Sequence, residues 1–321
     1  MQMLIILCTV ILVTAELLYF KIADHYNIID KPNHRSSHTK ITIRGGGIVF
    51  PLSVLLWFII SGFEYPFFVA GLMLISAVSF IDDIKNISRR VRTLIHIVGV
   101  SLVFYQLQIF SLNWLIIVLS YIIFIGIINA YNFMDGINGI TGSYSIVVIG
   151  SLLWINQFQL HFIDNNLLFL VIISLFVFNF FNFRNKAVCF AGDIGSISIA
   201  LIICFLLAKL IIQTSQLYYI LILTIYGIDA IYTIIIRISA RENIFEAHRK
   251  HLYQIMVNQL KYPHLTIAIL YSILQLLVNV ALIIIINTNS YLYLIYIVIT
   301  LSALYFIIRL KLNSLSKGFV K

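Results

Sequence analysis

The chain alternates between long apolar runs and short polar intervals. The runs fall at about 2–22, 46–62, 66–81, 92–110, 112–129, 140–158, 166–183, 196–213, 217–237, 264–286 and 290–309. About 20 mainly apolar residues suffice for a helix to cross the hydrocarbon layer of a bilayer. The shorter runs need tilt or kinking to cross. The pattern predicts an all-α, polytopic integral membrane protein of about 11 transmembrane helices, folded as one domain over residues 1–321.

Composition agrees with that pattern. Hydrophobic residues make up 61% of the chain, charged residues 10%, and the mean hydropathy is +1.03, leaving too few charges to cover a soluble surface. The first run lacks a basic leading segment and a small-x-small cleavage site, so it is expected to be retained as a helix. Cys8 and Cys204 fall inside apolar runs, and Cys189 lies in a polar interval without zinc-ligand spacing. These read as small apolar side chains.

Charge then sets orientation. The intervals 23–45, 82–91, 130–139, 184–195 and 238–263, the C-terminal tail and the flanking helix ends hold 20 of the 21 Lys and Arg residues; Lys209 is the exception. The positive-inside rule makes that face cytoplasmic, with the N-terminus outside and the C-terminus in the cytoplasm. The opposite intervals, 62–66, 161–166, 214–216 and 287–290, are too short to house a site. The +9 net charge follows from topology and attraction to anionic lipid. A basic face at membrane level also suits a phosphate-bearing substrate, and no nucleic-acid partner is expected.

Nine of the 12 acids share this basic face. Asp82 and Asp83 end an apolar run, where a helix C-terminus carries partial negative charge and disfavours carboxylates. They either terminate the helix and cap the next segment, or form a metal-phosphate site or general base. In NAYNFMDGINGITG (129–142), Asn129, Asn132 and Asp135 fall on one helical face, while Asp-Gly and Asn-Gly are ordinary turn pairs. In FAGDIGSIS (190–198), Asp193 or Ser196 could cap a helix. The glycines there also admit a phosphate, provided a divalent cation offsets the carboxylate. RENIFEAHRKHLYQ (241–254) places His248, Arg249, Lys250 and His251 together, a set suited to phosphate oxygens. The glycine-rich approach DKPNHRSSHTKITIRGGG (30–47) adds Arg35, His38 and Arg44, as an anion site or a turn into the membrane. Lone His25, His96, His161 and His264 read as interfacial or hydrogen-bonded residues.

In this combination the chain resembles the polyprenyl-phosphate N-acetylhexosamine-1-phosphate transferases, the glycosyltransferase family 4 relatives of the WecA and MraY enzymes. DDIKN, NAYNFMDGINGITG, FAGDIGS and HRKH appear in the family's order, and PNHRSSH…RGGG is similar to the branch using simple UDP-sugars. The resemblance implies transfer of an N-acetylhexosamine-1-phosphate from a UDP-sugar to undecaprenyl phosphate, releasing UMP, at the cytoplasmic face of the bacterial inner membrane. It implies Asp82, Asp83 and His248 as catalytic residues, and Asn129, Asn132, Asp135, Lys186, Arg249 and His251 as substrate-binding residues. Asp193 and Asp83 would hold Mg²⁺, with Mn²⁺ as a substitute. A homodimer is the oligomer the resemblance suggests.

Three positions depart from the family pattern. Asn86 takes the third acidic position, Lys250 stands where relatives have histidine, and RNKAVCF (184–190) lacks a proline-rich approach. HRSSH and HRKH favour a 6-deoxy-N-acetylhexosamine over N-acetylglucosamine, as in O-antigen or capsule initiation. The competing expectation is a transporter or flippase for an anionic or lipid-linked sugar, with Asp229 as its mid-membrane charge, placed in the inner half of its run near the site.

Overall fold

A computed structural model describes residues 2–30, 41–243, 248–288 and 291–318. Arg35 and His38 lie outside the described residues. The helices are α1 (Gln2–His25), α2 (Val49–Ile60), α3 (Pro66–Ile84), α4 (Arg89–Gln106), α5 (Trp114–Met134) and α6 (Ile140–Phe158). They continue with α7 (Asn165–Asn182), α8 (Gly192–Thr214), α9 (Thr224–Ser239), the one-turn α10 (Leu252–Gln254), α11 (His264–Thr288) and α12 (Leu292–Gly318). Two short strands, β1 (Ile29–Asp30) and β2 (Thr42–Ile43), pair antiparallel with Ile29 opposite Ile43.

Among the described residues, eight helical segments are long and apolar enough to cross a membrane. The expected run at 46–62 forms the shorter apolar segment Gly46–Ile60. The runs at 92–110 and 140–158 form α4 and α6, which fall outside that set: α4 opens with Arg89, Arg90 and Arg92, and α6 carries Ser, Thr, Gly and Asn along its length.

The core is built around α8, most of which is buried in the protein. A helix apolar on every side belongs inside a bundle. By contrast, α5 and α12 turn most of their apolar surface outward, as expected where lipid is the solvent. Close crossings use glycine. A Cβ on Gly47 would lie 2.2 Å from the Gly195 Cα, and one on Gly71 would lie 2.6 Å from the Gly99 carbonyl oxygen. These pairs bring α8 against the turn preceding α2, and α3 against α4, at backbone distance.

Polar side chains join α6 to α11. Ser272 pairs with Ser143 at 2.8 Å, Tyr144 donates to Gln275 at 2.7 Å, and Asn279 donates to Ser151 at 2.8 Å. The ninth run, expected as one helix, begins instead as a 3₁₀ segment over Leu217–Leu223. Gln275 accounts for the break: its Oε1 accepts from Ile225 N–H at 2.9 Å and its Nε2 donates to the Leu221 carbonyl at 3.2 Å. An irregular backbone at membrane depth needs such partners.

Gly47→Val should lower thermal stability by about 1–3 kcal/mol, the usual cost of overpacking, read as a reduced melting temperature in detergent. Gly126→Ala is the contrasting case, since beyond its own helix backbone no atom lies within 4 Å of the added carbon. It should leave the melting temperature unchanged or raise it.

Candidate functional site

The site begins where α3 ends and α8 starts. Gly192, at φ 72°, turns the chain into α8, which has no side-chain cap of its own. Asp83 supplies the cap from α3. Its Oδ1 accepts from Asp193 N–H at 2.9 Å and its Oδ2 from Ile194 N–H at 3.1 Å. Arg44 Nε lies 2.7 Å from the same Oδ1, and the Asp83 side chain is fully buried. A carboxylate unfavourable at the end of its own helix is thus stabilised by the positive end of another. Position 192 must be glycine for steric reasons as well, because a Cβ there would fall 2.5 Å from Asp83 Oδ2.

The course of the Arg44 segment is fixed from both sides. The Tyr19 hydroxyl donates to the Arg44 carbonyl, and Gly46 and Gly47 N–H donate to Phe190 and Ala191 at 2.8 and 3.1 Å. The glycine-rich run is therefore a turn that delivers Arg44 to the carboxylates.

Asp82 points to a different set of partners. Its Oδ1 accepts from Ile87 N–H at 2.6 Å, and its Oδ2 pairs with Arg92 Nη1 at 2.9 Å. The same Arg92 nitrogen lies 3.4 Å from Asp193 Oδ2. Asp193 Oδ1 accepts from Asn132 at 3.0 Å and lies 3.4 Å from Arg44 Nη2. Asn132 also donates to Ser196 at 3.1 Å, which fixes its amide. Asp82, Asp83, Asn132 and Asp193 thus converge at the start of α8. Arg92 was not anticipated as a site residue. Its signal in the sequence was an arginine in the first turn of the helix following the aspartate pair.

The remaining predicted residues divide. Asn129 donates back to Ile125 of its own helix at 2.9 Å. Asp135 ends α5 and accepts from Thr141 at 2.6 Å, and burial pushes its carboxyl up to about 6. Lys186 is exposed and forms no ion pair among the described residues. Asn138 is a loop lock: its amide donates to the Arg184 carbonyl at 2.8 Å, while Gly139 N–H donates to Asn182 at 2.7 Å.

The histidine segment packs against the end of α5. The Tyr253 hydroxyl donates to the Phe133 carbonyl at 2.8 Å and sits where a Cβ on Gly136 would be, 2.2 Å away. The His248 and His251 rings stack at 5.0 Å, with Phe133 at 6.2 and 6.3 Å. His251 is buried, with Nδ1 3.4 Å from Asp229 Oδ1. Burial, then the neighbouring His251, Arg237 and Lys250, lower the His248 imidazole to about 4, so it is neutral at pH 7. Arg249 is half-buried beside it.

Similarities to known proteins bear on this arrangement. Residues 65–211 match the family described as Glycosyl transferase family 4. The chain is 26% identical over 267 residues to the "Probable undecaprenyl-phosphate N-acetylglucosaminyl 1-phosphate transferase" of Bacillus subtilis, covering 77% of this chain and 74% of that one. It is 30% identical over 169 residues to the "Undecaprenyl-phosphate alpha-N-acetylglucosaminyl 1-phosphate transferase" of Escherichia coli K12, covering 46% of each. The enzyme of the same description from Yersinia pestis is 29% identical over 150 residues, 41% of this chain and 40% of that one. Against these last two, the match spans less than half the length of the relative.

Asp83→Ala should cost about 1–3 kcal/mol, because it leaves the first N–H groups of α8 without an acceptor while Arg44 keeps Asp193; an unchanged melting temperature would contradict the cap. Asp135 supplies a pH signature. Its carboxyl is raised by folding, so its contribution to stability is full below the unfolded value near 3.9 and is lost as pH rises through about 6. Asp135→Asn should therefore raise the melting temperature at pH 7.5 and have little effect at pH 4.

Proposed function

Residues 65–211 match glycosyl transferase family 4, and from that premise we propose that the chain transfers N-acetylglucosamine-1-phosphate from its UDP-sugar to undecaprenyl phosphate. The transfer would release UMP and form the first membrane intermediate of a cell-envelope polysaccharide. The observation that carries this reading is the convergence of Asp82, Asp193 and Asn132 with Arg44 and Arg92 at the buried start of α8. The relatives' names favour N-acetylglucosamine over the deoxy sugar suggested by HRSSH and HRKH. We place the eleven spans with the N-terminus outside and this site at the cytoplasmic face, on the distribution of Lys and Arg.

The donor set suits a magnesium ion. Asp82 and Asp193 offer hard carboxylate oxygens close enough to share one arginine nitrogen. Among the described residues no cluster of three or more metal-ligating His, Cys, Asp or Glu occurs. Mg²⁺ commonly takes one or two carboxylates and completes its shell with water and substrate phosphate. Three carboxylates against two guanidinium groups also leave the cluster one negative charge in excess, which would repel a pyrophosphate on its own. Asp83, whose two oxygens already accept from the backbone of α8, serves in this reading as a cap; the metal falls to Asp193 and Asp82. When bound, Mg²⁺ or Mn²⁺ would neutralise the pyrophosphate and polarise the phosphorus under attack.

The protein's own groups do the rest. Arg92 and Arg44 would shift from carboxylate to phosphate oxygens, holding the donor and acceptor phosphates side by side. An oxygen of the lipid phosphate attacks the sugar-bearing phosphorus directly, a new P–O bond forms, and the bond to UMP breaks. The acceptor oxygen is already ionised near neutral pH, so positioning contributes more than proton removal. His248, neutral before substrate arrives, would gain a proton and a hydrogen bond at the donor phosphates, with Arg249 beside it. Asn129, Asp135 and Lys186 would shape the nucleotide-sugar approach.

The transporter reading relied on Asp229 as a charge along a path. Asp229 instead accepts from Leu252 N–H at 2.9 Å and from Tyr271 at 2.8 Å, which commits it to holding chain.

Purified protein in lipid with undecaprenyl phosphate, Mg²⁺ and UDP-N-acetylglucosamine should release UMP only when all three are present. Asp193→Asn should abolish release while the protein still inserts and melts near the parent temperature. Near-normal turnover in that variant would remove the metal assignment, and isolation of a phosphorylated Asp82 or Asp83 would remove direct attack.

A further inference from the structure

His248 and His251 lie on irregular chain between α9 and α10, yet His251 is only 2% exposed. Irregular chain keeps one course when neighbouring elements satisfy its backbone groups. On α9, Asp229, Thr233 and Arg237 are spaced at i, i+4 and i+8, on one helical face, and all three are buried. Each end of that face grips one end of the loop. Asp229 Oδ1 accepts from Leu252 N–H at 2.9 Å and faces His251. Eight residues on, Arg237 donates to the Asn243 carbonyl and lies 3.3 Å from Glu242, which in turn pairs with the Lys250 ammonium.

Two further helices close the face. Tyr271 of α11 donates to Asp229 Oδ2 at 2.8 Å, and Tyr305 of α12 donates to Oδ1 at 3.0 Å. Arg309 of α12 donates to Thr233 at 3.1 Å, and its other terminal nitrogen donates to the Lys250 carbonyl, between the two histidines. Of the described side chains of α12, only Leu294, Tyr305 and Arg309 are buried. Two of those three belong to this network, so α12 adds polar contacts here and little apolar core. Burying Arg309 and Asp229 without direct pairing is a poor way to gain stability alone, since apolar side chains of similar volume commonly serve at least as well.

We propose that the polar face of α9, closed by Arg309 of α12, is a positioning device that sets the His248–His251 segment against the end of α5. Arg309 and Asp229 are then positioning residues for the nucleotide-sugar half of the site, an assignment that rests on the function proposed above. Through the Lys250 carbonyl, Arg309 fixes the backbone that carries His248 and Arg249, and through Thr233 and Tyr305 it is tied to the carboxylate that holds Leu252 N–H and faces His251.

The test uses full-length protein in lipid nanodiscs, with Arg309→Met, Arg309→Lys and the milder Tyr305→Phe. Two readouts are taken: amide hydrogen exchange over 248–254, and UMP release with donor and acceptor varied separately. Arg309→Met should speed exchange at Leu252 and Tyr253 and lower kcat/KM for the UDP-sugar by up to about 10²-fold. The KM for undecaprenyl phosphate should stay within about twofold, marking a donor-side defect. Arg309→Lys should recover part of the loss, and Tyr305→Phe should act in the same direction more weakly if Arg309→Met fails to fold. Unchanged exchange with unchanged donor kinetics would overturn the proposal. So would equal losses for both substrates alongside a lowered melting temperature, the mark of a merely structural role. If the parent protein releases no UMP, the functional reading falls, and the exchange data alone decide the clamp: faster exchange supports it and no change refutes it.

Discussion

The Asp83 carboxylate at the start of α8 is the contact on which the rest of the site depends. It joins the end of one membrane helix to the beginning of another, 110 residues apart in sequence, through two backbone N–H groups. Each partner would be costly alone. The carboxylate is buried at the negative end of α3, and the N–H groups of α8 have no cap from their own chain segment. Together they fix the position of Asp193, whose backbone nitrogen is one of the two donors. Arg44, drawn to the same carboxylate, brings the glycine-rich turn and α2 into register with α8.

From that joint the electrostatics of the site follow. Asp193 is held beside Asp82 although both are acidic, and Arg92 and Arg44 stand between and around them. Arg44 and Arg92 reach these carboxylates by contacts of 2.7–3.4 Å. A second polar assembly holds the histidine segment, with Asp229 at its centre. The two assemblies meet at the end of α5, where Asn132 faces Asp193 and the neighbouring Phe133 faces the histidines.

The same requirement, that polar groups away from water be partnered, runs through the membrane layer. Gln275 satisfies the broken start of the ninth span, and the serine, tyrosine and asparagine contacts between α6 and α11 satisfy one another. In a bilayer such contacts contribute modestly one by one, about 0.6 kcal/mol on average. Their larger effect is on register, since a polar side chain rotated toward lipid loses its partner.

The sequence by itself determined which segments become helices, because hydropathy and helical hydrogen bonding are local properties that twenty consecutive residues can specify. It also led one to expect Asp82, Asp83, Asn132 and Asp193 at one place, because their motifs stand in the order of the family the chain resembles. Only the tertiary structure decided what each carboxylate does. Asp82 and Asp83 are adjacent in the chain, but one faces Arg92 and the other caps α8, since successive residues of a helix point about 100° apart. Tertiary structure alone also brought in Arg92, broke the ninth span at Gln275, and gave Asp229, expected in the inner half of its run near the site, Leu252 N–H as its partner with His251 facing it. In each case the deciding partner lies 10 to 110 residues away. Which distant group meets a buried charge depends on how the helices pack, and packing is not written in any local pattern.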